Sequence, residues 1–117
     1  MKDFRNLKVW EKGHAITMDI YKETRNFPKE EQYGLISQMR RAATSIPTNI
    51  AEGCGKHSNK DFVNYLQISM GSSSELEYLI FLSGEIGYIQ ANNTMNLTSK
   101  IIELKKMLAA LIKTIRK

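Results

Sequence analysis

The chain has 117 residues, 42% hydrophobic and 25% charged, with 17 Lys/Arg against 12 Asp/Glu and a net charge of +5. That length suits one domain over residues 1–117 with a continuous core, and that balance of apolar and charged residues excludes a disordered chain. Two prolines and seven glycines leave long uninterrupted stretches, which argues against many short strands and for an all-α fold.

The stretch Met1–Gly13 is charged throughout and has no apolar h-region. No window reaches the roughly 18 uncharged apolar residues of a membrane span. With one cysteine, Cys54, no intrachain disulfide can form, so a cytoplasmic location without membrane attachment is expected.

In chain order, the first apolar series is Val9, Gly13, Ile16, Ile20, Thr24 and Phe27, flanked by Trp10, Thr17 and Tyr21. Its three-and-four spacing predicts a helix that ends before Pro28. Leu35, Met39, Ala42, Ile46, Asn49 and Gly53 repeat the rhythm in a second helix. Pro47 deprives the Ala43 carbonyl of its amide partner there, which predicts a kink, and the run Gly53-Cys54-Gly55 supplies a stop.

Ser58 or Asn59 is a cap for the third helix, with Asp61 in the first turn where the helix dipole favours an anion. Apolar spacing from Phe62 to Ile86 carries this helix to about Gly87. In the fourth, Leu97, Ile101, Leu104, Leu108, Leu111 and Ile115 form a heptad seam, beside a second stripe of Ile102, Ala109 and Ile112. Two stripes are more than one bundle core needs, so self-association is expected. Four such helices on short loops predict an antiparallel up-down-up-down four-helix bundle.

Candidate chemistry is sparse. Gly53–Ser58 fails as a phosphate loop, because Ile50 and His57 occupy positions that require glycine and Ser/Thr, and a helix precedes it instead of a strand. Glu11 and His14 have the Glu-x-x-His spacing of di-iron bundles, but no second such pair exists. Cys54 and His57 are two ligands where a closed structural metal site needs four. Lys56 could lower the Cys54 thiol pKa without making it catalytic. No catalytic residue, metal or cofactor is assigned.

Gly71-Ser72-Ser73-Ser74 lies in mid-helix, where glycine costs about 1 kcal/mol relative to alanine, and close helix packing inside the bundle or between subunits would offset that. Glu75 is expected to turn inward toward Arg41. Charge is uneven. Residues 1–61 carry 11 Lys/Arg and 8 Asp/Glu, 62–99 carry only 3 acidic residues, and 100–117 carry 6 basic and 1 acidic. The last helix is therefore the basic one, and Lys105, Lys106, Lys113, Arg116 and Lys117 are candidate contacts to a phosphate backbone.

Leu7-Lys8-Val9-Trp10, Tyr33-Gly34-Leu35, Arg40-Arg41-Ala42-Ala43 and above all Ser45-Ile46-Pro47-Thr48-Asn49-Ile50-Ala51-Glu52-Gly53 resemble the 23S ribosomal RNA intervening-sequence proteins. Gly71-Ser72 and Glu75-Leu76-Glu77 are similar to that family's third helix, and the likeness spans about residues 4–90. The resemblance implies a four-helix bundle assembled into a homopentameric ring. It also implies kinship with accessory proteins of diversity-generating retroelements, which associate with a reverse transcriptase and nucleic acid. Arg40 and Arg41 in the matched motif, and Lys56 and Lys60 after it, become further candidate nucleic-acid contacts. The leading expectation is a non-enzymatic oligomer that binds RNA or DNA through phosphates without sequence preference. The alternative is a scaffold or accessory subunit whose basic face meets a protein partner such as a reverse transcriptase. An enzyme has little support, because no nucleophile, base and orienting group can be assembled.

Overall fold

Each of the four apolar rhythms becomes one helix. A computed structural model describes residues 2–117 and contains α1 (Lys8–Thr24), α2 (Leu35–Cys54), α3 (Asn59–Ile86) and α4 (Ala91–Ile115), with no strand among the described residues. Short 3-10 turns at Phe4–Asn6 and Lys29–Glu31 precede α1 and α2. The 28 residues of α3 rise about 42 Å at 1.5 Å each, close to the 44 Å longest extent of the molecule. One helix therefore spans the whole length.

Side-chain bonds fix the directions. Thr24 of α1 meets Arg40 of α2, while Thr17 meets Ala43. Met39 of α2 meets Ser83 of α3, while Ile46 meets Ser69. Glu77 of α3 meets Lys105 of α4, and Gly84 packs on Thr94. Sequence numbers run oppositely in every adjacent pair, so the neighbours are antiparallel. α1 also packs on α4, and among the described residues the diagonal helices bring no Cα atoms within 8 Å of each other, which makes a square bundle.

The helix ends follow local chemistry. α1 stops at Thr24, three residues short of the expected Phe27, because the amides of Arg25, Asn26 and Phe27 each bond three residues back. Pro28 then disfavours a helical conformation at Phe27. The Ser58 hydroxyl caps α3 by accepting from the Asp61 amide at 3.1 Å, and Gly87 ends it at φ 97°, a left-handed turn that glycine adopts without strain. α4 starts at Ala91, six residues before the first seam residue.

α2 continues as one helix through Pro47. The Ala43 carbonyl that Pro47 leaves open accepts instead from the Thr17 hydroxyl at 2.9 Å. Pro47 thus marks a seam between two helices. The core holds Ile16, Ile20, Met39, Ile46, Ile50, Leu66, Leu76, Ile80, Ile101, Leu104 and Leu108, all essentially without exposure. Ile50 takes the buried place assigned to Asn49, whose amide donates to the Ser45 carbonyl at 2.8 Å. Among the described residues no buried side-chain polar atom lacks a partner.

Candidate nucleic-acid interface

Antiparallel packing places the start of α1, the end of α2, the start of α3 and the end of α4 at one end of the bundle. That end collects cations from distant parts of the chain. Arg116 shares one shallow depression with Lys60 and another with Lys113 and Lys117. Lys56 lies 5.2 Å above the Tyr65 ring, and Lys2 5.0 Å above Phe62. All six cations are exposed. Glu52 and Asp61 are also at this end, and Asp3 pairs with Arg5 at 3.2 Å, so the cations outnumber the free carboxylates.

The other candidates lie elsewhere. Lys105 pairs with Glu77 at 3.1 Å, which neutralises it on the flank between α3 and α4, and Lys106 is exposed one residue on. Arg40 and Arg41 occupy the opposite half of α2. The Arg40 Nε donates to the Thr24 hydroxyl at 2.9 Å and one Nη to the Tyr21 carbonyl at 3.3 Å, with the guanidinium 4.5 Å from the Tyr21 ring. Arg40 thereby clamps the end of α1. The nine candidates form an end cluster of five, a flank pair and a groove pair.

The Arg41–Glu75 pairing does not form. Both side chains are exposed on the rim of one depression, where water solvates the carboxylate and no inward turn is needed. On α4, Ile112 turns into the core while Ile102 and Ala109 stay exposed, so only part of the second stripe remains outside. Gly71 is exposed, with nothing within 4 Å of where a side chain would begin. Packing inside this chain therefore does not account for it.

Burial pushes the Cys54 thiol pKa up, opposed by the Lys2 charge, so the thiol stays protonated at neutral pH. The nearby cation is Lys2, where the sequence suggested Lys56. His14 stacks on the Trp10 ring at 5.0 Å. Among the described residues no three His, Cys, Asp or Glu side chains converge as metal ligands, and no helix is long and apolar enough to cross a membrane.

Sequence reasoning missed Lys2, because its place in the cluster depends on its amide bonding the Cys54 carbonyl at 3.3 Å. It also missed the exposed rings of Tyr21 and Tyr33, which line the groove that Arg40 and Arg41 share. Tyr33 beside a glycine at a helix start was the available signal.

Comparison with known proteins found no match among curated ones. A solved structure of a protein of unknown function from the S23 ribosomal protein family of Bacteroides thetaiotaomicron is similar, with 29% identity and a TM-score of 0.81. The match covers 90% of this chain and 98% of that one. The family model described as 23S rRNA-intervening sequence protein matches residues 5–110, and with these helices and motifs in place the chain belongs to that family.

Proposed function

We propose that this protein is a non-enzymatic oligomeric module that binds RNA or DNA by its phosphates, without strong sequence preference. The observation that carries this reading is the end cluster of Lys56, Lys60, Lys113, Arg116 and Lys117, joined by Lys2 and short of carboxylates. Phosphate contacts from exposed lysines and arginines release condensed counterions, a gain that depends on charge density and not on base identity. Several copies in one assembly would sum their fields and tighten the attraction.

Self-association is supported by apolar side chains left outside the bundle. Tyr78 and Phe81 of α3 are each 58% exposed and Ile102 of α4 is 40% exposed. Such groups mark contact surfaces when they cluster, and a pentameric ring is the assembly we propose. The alternative is an accessory subunit whose basic end meets the acidic surface of a protein partner such as a reverse transcriptase.

Light-scattering mass coupled to size-exclusion chromatography, with a generic RNA at low and high salt, tests both parts. A mass near five subunits that takes up RNA only at low salt is the expected result. A monomer indifferent to RNA would overturn it.

A further inference from the structure

A groove of about 720 Å³ opens between Tyr21 of α1, Gln32 and Tyr33 of the turn before α2, and the outer side of α2. Its wall combines two tyrosines, Tyr21 and Tyr33, with two arginines, Arg40 and Arg41, and hydroxyl and amide side chains. It contains no carboxylate. Tyr33 is 91% exposed and makes no side-chain hydrogen bond among the described residues. An aromatic ring is thus open to solvent in a groove that two arginines also line.

The arginines differ in how they are held. Arg40 is fixed by Thr24, the Tyr21 carbonyl and the Tyr21 ring, which engage two kinds of its five donors and set the plane of the fork in advance. Arg41 is exposed and, among the described residues, has no carboxylate within ion-pair distance. A guanidinium fork suits phosphate oxygens, and an open aromatic face suits a nucleobase. A duplex offers the phosphates but hides its base faces in the stack, whereas an unpaired strand offers both. The basic end of the bundle differs, because its rings Phe62 and Tyr65 lie under Lys2 and Lys56.

We infer that the groove between α1 and α2 binds unpaired nucleotides of single-stranded RNA or DNA, with a base stacked on Tyr33 and the adjoining phosphate on Arg41 and Arg40. This rests on the nucleic-acid reading above and adds a second, strand-selective site to it.

The test is fluorescence anisotropy of labelled oligouridylate, oligothymidylate and a blunt RNA duplex, each of about 12 nucleotides per strand, titrated at one salt concentration with the full chain. Variants are Tyr33→Ala, Tyr33→Phe and Arg41→Ala, each checked for helical circular dichroism. Tyr33→Ala and Arg41→Ala should each weaken binding of the single strands by about tenfold and leave the duplex unchanged, while Tyr33→Phe keeps the stacking surface and the affinity. Strand affinity indifferent to Tyr33→Ala, with the duplex still bound, would overturn this inference alone. Absence of any nucleic-acid binding by the wild type would overturn it together with the proposed function. Binding of a polyglutamate probe that Tyr33→Ala abolishes, without strand binding, would make the groove an acidic-peptide site instead.

Discussion

The Thr17 hydroxyl of α1 donates to the Ala43 carbonyl of α2 at 2.9 Å, the acceptor that Pro47 cannot reach because it has no N–H. Thr17 also lies 3.0 Å from its own helix's Gly13 carbonyl. Replacing it with the near-isosteric valine keeps the packing and strands a buried carbonyl, so Thr17→Val should lower stability by about 1–3 kcal/mol. Pro47→Ala restores an amide that can serve Ala43. In that background the loss on Thr17→Val should shrink by about 1 kcal/mol or more, since the carbonyl is no longer stranded. Denaturant unfolding of the four proteins measures the coupling, and strict additivity would show that the two residues do not share that acceptor.

Two glycines should respond to alanine with opposite signs. A side chain on Gly53 would begin 2.8 Å from the Phe62 ring and 3.0 Å from Tyr65 Cβ, both in tight packing between α2 and α3. Gly53→Ala should therefore destabilise, by about 1–3 kcal/mol of overpacking. Gly71 has open space around it in mid-helix, so Gly71→Ala should stabilise the protomer by about 0.5–1 kcal/mol through the unfolded chain's lost freedom. Thermal unfolding of both variants checks the pair. Because the open space at Gly71 is also where another subunit could approach closely, the mass of Gly71→Ala at equal concentration shows whether assembly needs that gap.

Much of the fold is legible because helical periodicity survives in this sequence. The seam Leu97, Ile101, Leu104 and Leu108 is buried as its spacing demands, but Leu111 is half-buried and Ile112 is buried in its stead. A straight helix drifts about 20° per heptad from a strict repeat, so the seam slides onto the next residue. The first six residues of α4 were missed because Ala91–Asn96 carries no apolar rhythm. Partners of polar core residues were illegible for another reason. Thr17 and Ser69 find their acceptors on a neighbouring helix, 26 and 23 residues away, and no local pattern encodes that. The candidate site divided for the same cause. Charge counting treats Lys105 and Lys113 alike, and only packing shows that Glu77 neutralises the first.

The two loops at the far end of the bundle meet through Glu31. Its carboxylate accepts from the Leu35 amide at 3.1 Å and from the Tyr88 hydroxyl at 3.0 Å, tying the start of α2 to the α3–α4 connection. The bond to Glu31 raises the Tyr88 pKa above its ordinary 10.0, with burial and the carboxylate charge adding to the rise. A phenol whose folded pKa is raised contributes stability that is fully present below the unfolded value and lost as pH climbs through the folded one. This tie should therefore hold at pH 7 and fail above about pH 10. Phenolate absorbance should show one tyrosine titrating late, and Tyr88→Phe should remove that late step and part of the alkaline loss of stability.

Charge reversal at the basic end separates a binding surface from an ordinary solvated helix face. Lys113, Arg116 and Lys117 are exposed, so replacing all three with glutamate should leave stability within roughly 0.5 kcal/mol per site. If each contacts a duplex phosphate, the slope of log affinity against log salt should fall by about 0.9 per contact, or about 2–3 in all. Lys105→Ala is a control for a cation outside the cluster, because Lys105 is already paired with Glu77 at 3.1 Å and its loss should leave both affinity and slope unchanged. A surface that responded to total charge alone would lose slope in the control too, by about one sixth of the triple variant's loss for its single charge against six. A loss confined to the triple variant would locate the phosphates at the end of α4.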